Sequence, residues 1–191
     1  MYLLYNQEKS KIIYAHPRCG SSHLEKVAPL CGYKKTLIHN IDTTNQKLIY
    51  ILRDPYHRWY SWFFGFIYLP EKRYKKQWDI QKTPDLWTLS DAKKWMQKFT
   101  ELKKYDDHVN NLETLYNRDF GNLLFLNTEY VMMNDIDYYL NLSNKTRVKD
   151  ESVDIRESTM NPIVVKYLKQ QIHVNYQSDY DWLFSKKIWK K

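Results

Sequence analysis

Two kinds of apolar spacing divide this chain. Short unbroken runs, Lys11 to His16 (KIIYAH), Lys35 to His39 (KTLIH), Lys47 to Leu52 (KLIYIL) and Asn122 to Asn127 (NLLFLN), are bounded by polar or Pro-containing segments and predict β-strands. Ser90 to Tyr105 instead carries apolar residues at 92, 95, 96, 99 and 102, the spacing of one half-buried helical face. Further helices are predicted from Ser22 to Leu30, capped by Ser21 or Ser22 and limited by Pro29, and from Pro55 to Tyr68. Asp54 before Pro55 is a strong start signal, because the carboxylate can cap free amides and the proline presets φ at the first helical position. Helices are also expected up to Tyr116, from Glu129 to Leu142 and from Pro162 to Tyr176. Residues 69–89 mix prolines, lysines and tryptophans without a period and read as a surface insertion. Residues 143–161 read as a loop and the terminal KKIWKK as a solvated tail.

Strands alternating with helices predict a single α/β domain over residues 1–191, with a central parallel sheet flanked by helices on both faces. In such sheets ligands bind beyond the carboxyl ends of the strands. That directs attention to the loops after residues 16, 39 and 52.

Composition narrows the ligand. With 43% hydrophobic and 27% charged residues the chain can bury a core, which excludes a disordered tail as its main character. Thirty Lys and Arg against 22 Asp and Glu give a net charge of +8, which favours an anionic partner. Cys19 and Cys31 are too few for a disulfide scaffold and stand at no metal-ligand spacing, so a reducing compartment and no metal are expected. Glu8, Lys9 and Lys11 interrupt the amino-terminal stretch and no run approaches 18 apolar residues, so the reading is a cytoplasmic protein without a membrane span.

The chemistry gathers in two segments. Pro17-Arg18-Cys19-Gly20-Ser21-Ser22, followed by His23, sits between a predicted strand and a predicted helix. Its amides can converge on an anion, with the helix dipole adding positive potential and Arg18 adding a guanidinium. This is a P-loop-like cradle that departs from GxxxxGK[ST]: the first glycine is missing and Ser21 replaces the lysine. In the second segment, IYILRDPYHRWYSWFF, Arg53 ends a strand and Ser61 follows two turns into a helix, a spacing from which both can grip one phosphate. Tyr60, Phe63, Phe64 and Ile67 are expected to pack toward the sheet.

Together the two segments resemble the cytosolic and carbohydrate sulfotransferase superfamily. There a P-K/R-x-G-S/T-S/T loop binds the 5′-phosphosulfate of 3′-phosphoadenosine 5′-phosphosulfate (PAPS) and an R-x₇-S segment binds the 3′-phosphate. The form RDPxxRxxS is closest to the carbohydrate enzymes, LFLNTEYV is similar to a later strand segment, and IHVNYQSDYDWLF is similar to the closing helix. Arg18 stands where many relatives carry Lys. The resemblance implies a P-loop-like three-layer sandwich and in-line sulfuryl transfer from PAPS to a hydroxyl acceptor, a glycan or a small molecule, leaving 3′-phosphoadenosine 5′-phosphate. Residues 17–23, Arg53 and Ser61 would hold the nucleotide, and Arg18 would stabilise the departing oxygen. By the same resemblance His39, at a strand end before the 3′-phosphate segment, would be the general base, and Arg147 and Ser158 belong to a last cofactor-binding stretch that includes Lys145, Arg156 and Thr159.

Plainer readings stand beside these. Arg58, four residues after Asp54, reads as an ion-pair partner, His57 as structural, and Trp59, Trp62, Phe63 and Phe64 as core. His16 and His23 flank the loop and are placed to touch ligand. Trp78 and Trp87, beside Lys72, Arg73, Lys75 and Lys76, suit either acceptor contact or a solvated loop. A nucleotide kinase is the first rival function, opposed by the missing GK[ST]. A non-catalytic polyanion or nucleic-acid binder is the second, supported by charge and by 17 Tyr and 7 Trp.

Overall fold

The computed structural model describes residues 2–68, 82–141 and 159–188. These group into two compact units, one of Met1–Arg53, Thr114–Lys149 and Leu183–Lys191, the other of Asp54–Glu113 and Asp150–Trp182. The first crossing of the chain from one unit to the other falls between Arg53 and Asp54. Arg147 and Ser158, with Lys145, Arg156 and the insertion residues 69–81, lie outside the described residues.

The first unit is built on one five-stranded sheet in the order β3-β1-β2-β4-β5, where β1 is Tyr2–Asn6, β2 Lys11–Ala15, β3 Lys34–Leu37, β4 Lys47–Leu52 and β5 Asn127–Met132. The expected P-loop-like three-layer sandwich on a central parallel sheet is thereby corrected: the sheet is mixed. β2, β4 and β5 run parallel, with Ala15 opposite Ile51 and Ile51 opposite Val131, whereas β1 is antiparallel to both β2 and β3. The reason lies in Tyr2–Asn6, whose apolar run is short enough to escape a periodicity argument yet folds back on β2 through a tight turn at Gln7–Ser10. Ser10 takes the left-handed φ of 48° that such a reversal demands. β1 therefore separates β3 from β2 by one strand.

Alternation along the strands sends side chains to opposite faces. Tyr14, Tyr50 and Tyr130 stand in register on one face, where Phe120 of α4 (Leu112–Phe120) approaches Tyr14 at 5.1 Å and Tyr50 at 5.7 Å between ring centroids. On the other face Ile13 and Ala15 meet Leu24 of α1 (Ser21–Val27) around a small cleft. α1 ends where Pro29 enters, and the chain tightens into a 3-10 turn over Ala28–Cys31.

The last strand of the sheet lies later than its apolar run suggests. NLLFLN is not a strand: Leu124 and Leu126 are exposed, and β5 begins at Asn127 because Val131 and Met132 are the residues that reach Ile51 and Leu52. The long helix expected over Glu129 to Leu142 shrinks to α5, Ile136–Tyr139.

The second unit is helical: α2 (Pro55–Trp62), α3 (Leu89–Leu102) and α6 (Pro162–Asn175), with the starts of α4 (Leu112–Phe120) and α7 (Gln177–Ser185). α2 begins as the sequence implies, the Asp54 carboxylate accepting from the His57 amide at 2.8 Å and Pro55 following. It widens into a π-turn over Phe63–Tyr68. Tyr60, Phe63 and Phe64, expected against the sheet, build a core with Trp95 and Phe99 of α3 and Val164, Leu168 and Ile172 of α6. Trp87 belongs to this core as well, buried, its indole N–H donating to the Lys82 carbonyl at 3.0 Å, so the end of the insertion is not a solvated loop. Among the described residues no helix is long and apolar enough to cross a membrane.

Candidate functional site

At the carboxyl edge of the first unit's sheet, the ends of β2, β4 and β5 lie side by side. β2 runs into the turn 16–20 and then α1, β4 runs into Arg53, and β5 runs into Met133. The topology therefore brings residues far apart in sequence to one place.

The turn is tightly specified. Arg18 has φ 66° and Gly20 φ 84°, both left-handed, while Cys19 between them does not. Alternating φ signs bend the chain sharply, the kind of turn from which amides can face one side. For an arginine the left-handed region is strained by about 1 kcal/mol or more, and such strain persists only where surrounding contacts hold it. One of them is Arg53, whose Nη1 donates to the Arg18 carbonyl at 3.0 Å. Arg53 is 7% exposed, so the bond forms away from water, where it is strong.

Gly20 is constrained twice over. Beyond its positive φ, a Cβ there would lie 2.7 Å from Met133 Cγ and 3.4 Å from Ile136 Cδ1. The glycine thus permits close packing of the segment after β5 as well as the shape of the turn. It also occupies the N-cap of α1 in place of the serine cap expected, and it offers no side chain to the first helical amides. Ser21 and His23 are half-buried and Ser22 is exposed. Cys19 is fully buried and its amide donates to the His16 carbonyl at 2.9 Å, which commits that N–H to the turn itself.

The flanking histidines are both engaged. His16 is buried beneath the turn, 3.4 Å from the Tyr14 hydroxyl through Nδ1 and 3.8 Å from Asp119 Oδ2 through Nε2. His23 Nε2 lies 2.7 Å from Asp137 Oδ1 of α5, a pair buried to 19% and 11% side-chain exposure. His39 is exposed in a 3-10 turn after β3. Because β3 runs in the same direction as β2, His39 is at the same edge of the sheet as the turn, but β1 intervenes and the offset is two strand spacings, about 10 Å.

Ser61 and Arg58 belong to the second unit. Ser61 is half-buried on α2. Arg58 is 1% exposed and donates to the carbonyls of Asp107 at 2.8 Å and Asn110 at 2.6 Å, a structural anchor made to backbone oxygens. It lies in a buried polar network with Asp179, whose carboxylate accepts the Leu112 amide through both oxygens at 2.9 and 3.0 Å, and with Tyr176, whose hydroxyl donates to the Val109 carbonyl. Burial pushes the Asp179 carboxyl up to about 6, against the pull of Arg58, the Leu112 amide, Lys103 and the Glu113 amide. Burial lowers Lys103 in the same network, and Asp179 raises it. The Tyr176 and Asp179 pair of the closing motif therefore ties the 106–113 segment in place.

Sequence reading did not single out Met133, Ile136, Asp137 or Asp119. Each reaches the turn from more than 100 residues away along the chain, as the 114-residue separation of His23 and Asp137 illustrates, and no local pattern marks them. Comparison with family models, with curated proteins and with solved structures finds no match for this chain.

Proposed function

We propose that the chain is a sulfotransferase that carries a sulfuryl group from PAPS to a hydroxyl acceptor, with a sugar hydroxyl as the acceptor class. The observation that carries the reading is the junction of the two motifs: Arg53, from the RDPxxRxxS segment, is bonded to the carbonyl of Arg18 inside the PRCGSS turn. A shared anion grip requires the two stretches to meet, and the adjacent parallel strands β2 and β4 carry them to one edge of the sheet.

The chain's own groups fit a nucleotide with two anionic ends. The turn at residues 18–20, with the Arg18 side chain and the amides that open α1, suits the 5′ end, and the motif resemblance alone assigns Arg53 and Ser61 to the 3′-phosphate. When bound, PAPS supplies the sulfuryl group. Arg18 would then steady the negative charge that grows on the departing oxygen, a contribution of roughly 3 kcal/mol per well-aimed donor. His39 is the proposed base, reached by an acceptor lying across the end of β1.

The test is calorimetric titration with 3′-phosphoadenosine 5′-phosphate on the wild type, on Arg53→Ala and on Ser61→Ala. Binding by the wild type that weakens at least tenfold in each variant supports the reading. A wild type that binds no bisphosphate, or binds ATP with magnesium in preference, overturns it.

A further inference from the structure

We infer that the cleft between α1 and the sheet is an acceptor subsite that holds one uncharged sugar ring. This rests on the reading of the chain as a sulfotransferase, and deepens it by giving the acceptor a place and a chemistry.

Position comes first. Ala15, the last residue of β2, and Ser21, the first of α1, both line the cleft, so the turn 16–20 that joins them lies at its margin. Tyr2 lines it from β1, and Leu37, which pairs with Tyr2, leads directly into the 3-10 turn that carries His39. The cleft therefore occupies the width of β1, the interval that separates His39 from the turn.

The lining divides by chemistry. Leu4, Ile13, Ala15 and Leu24 are all buried and make an apolar floor. At the rim stand Tyr2, 60% exposed, and the Lys35–Glu25 pair. The Lys35 ammonium donates to the Glu25 carboxylate at 2.8 Å and lies 5.3 Å from the Tyr2 ring centroid.

These features select the occupant. Glu25 repels an anion and Lys35 repels a cation, so the pair favours a molecule without charge. An ammonium beside a carboxylate offers donors and acceptors together, which suits a ligand whose hydroxyls each do both. The empty space, about 300 Å³ including the open mouth, leaves any occupant partly in water. An apolar ligand draws its affinity from being largely enclosed, whereas a sugar ring keeps hydroxyls solvated while its C–H face rests on aliphatic or aromatic side chains.

The experiment follows amide NMR shifts of the full chain during titration with the methyl glycosides of glucose, galactose, mannose and N-acetylglucosamine, and separately with phenol. Wild type is compared with Tyr2→Ala and Glu25→Ala, both at exposed positions where substitution costs little stability. The expected result is that at least one glycoside moves the amides of residues 2–4, 13–15, 21–25 and 35, and that each variant weakens its binding about threefold or more. Glycosides that leave these amides unmoved, that bind less well than phenol, or that bind either variant as well as the wild type overturn the subsite. Parallel calorimetry with 3′-phosphoadenosine 5′-phosphate separates the two readings. Bisphosphate binding beside a failed glycoside titration leaves the nucleotide site standing, whereas glycoside binding without bisphosphate binding overturns the sulfotransferase reading and with it the cleft's role as an acceptor subsite.

Discussion

Arg53 Nη1 and the main-chain oxygen of Arg18 are joined by a 3.0 Å hydrogen bond between the ends of two adjacent parallel strands. The bond holds a strained arginine in its left-handed conformation. Arg53→Ala should therefore loosen the turn locally. Hydrogen exchange at residues 18–20 should speed up several-fold, matching the loss of about 1 kcal/mol for one hydrogen bond, while β1 to β5 keep their protection. Unchanged exchange in the turn would show that other contacts hold it.

Gly20→Ala should destabilise the protein by about 1–2 kcal/mol in urea unfolding, because the new methyl must adopt φ 84° and lies 2.7 Å from Met133 Cγ. Met133→Ala in the same background should recover the steric part and leave the conformational part, since the flexible methionine can be removed and the backbone angle cannot. Full recovery would mean the angle costs nothing.

Arg58→Ala should cost about 3–5 kcal/mol, since it strips the Asp107 and Asn110 carbonyls of a donor and removes the cation that pulls most on the buried Asp179 carboxylate. Thermal unfolding checks the magnitude. Bisphosphate affinity of the folded fraction should change far less than in Arg53→Ala, which separates an anchor from a ligand contact.

Asp179 gives the protein a pH signature. Its folded-state carboxyl is raised to about 6 from an ordinary 3.8, so the folded chain holds the proton more tightly than the unfolded one. Its contribution to stability is therefore fully present below about pH 4 and is lost as pH rises through about 6, a change on the order of 3 kcal/mol. The difference in unfolding free energy between wild type and Asp179→Asn should shift in favour of the wild type as pH falls from 7 to 4. A pH-independent difference would refute the assignment.

Under the proposed sulfotransferase function, His39→Gln should slow single-turnover sulfuryl transfer by about 100-fold or more near pH 7 without weakening nucleotide binding, as removal of a general base does. An unchanged rate would move the base to another residue at the same sheet edge.

Much of this protein was legible along the chain. The β2 and β4 strands, the helix opened by Asp54 and Pro55, the face of α3 and the two basic motifs all rest on short-range rules of spacing, capping and turn chemistry, which act within a few residues. What tertiary structure alone decided was the company each segment keeps. The reversal of Tyr2–Asn6 made the sheet mixed and set β1 between His39 and the turn, while the start of β5 was fixed by which residues could reach Ile51 and Leu52. Asp137 came to His23 and Met133 to Gly20 across more than 100 residues. Such pairings depend on packing summed over the whole fold, and the energy of each contact is too small and too distant along the chain to leave a mark in local sequence.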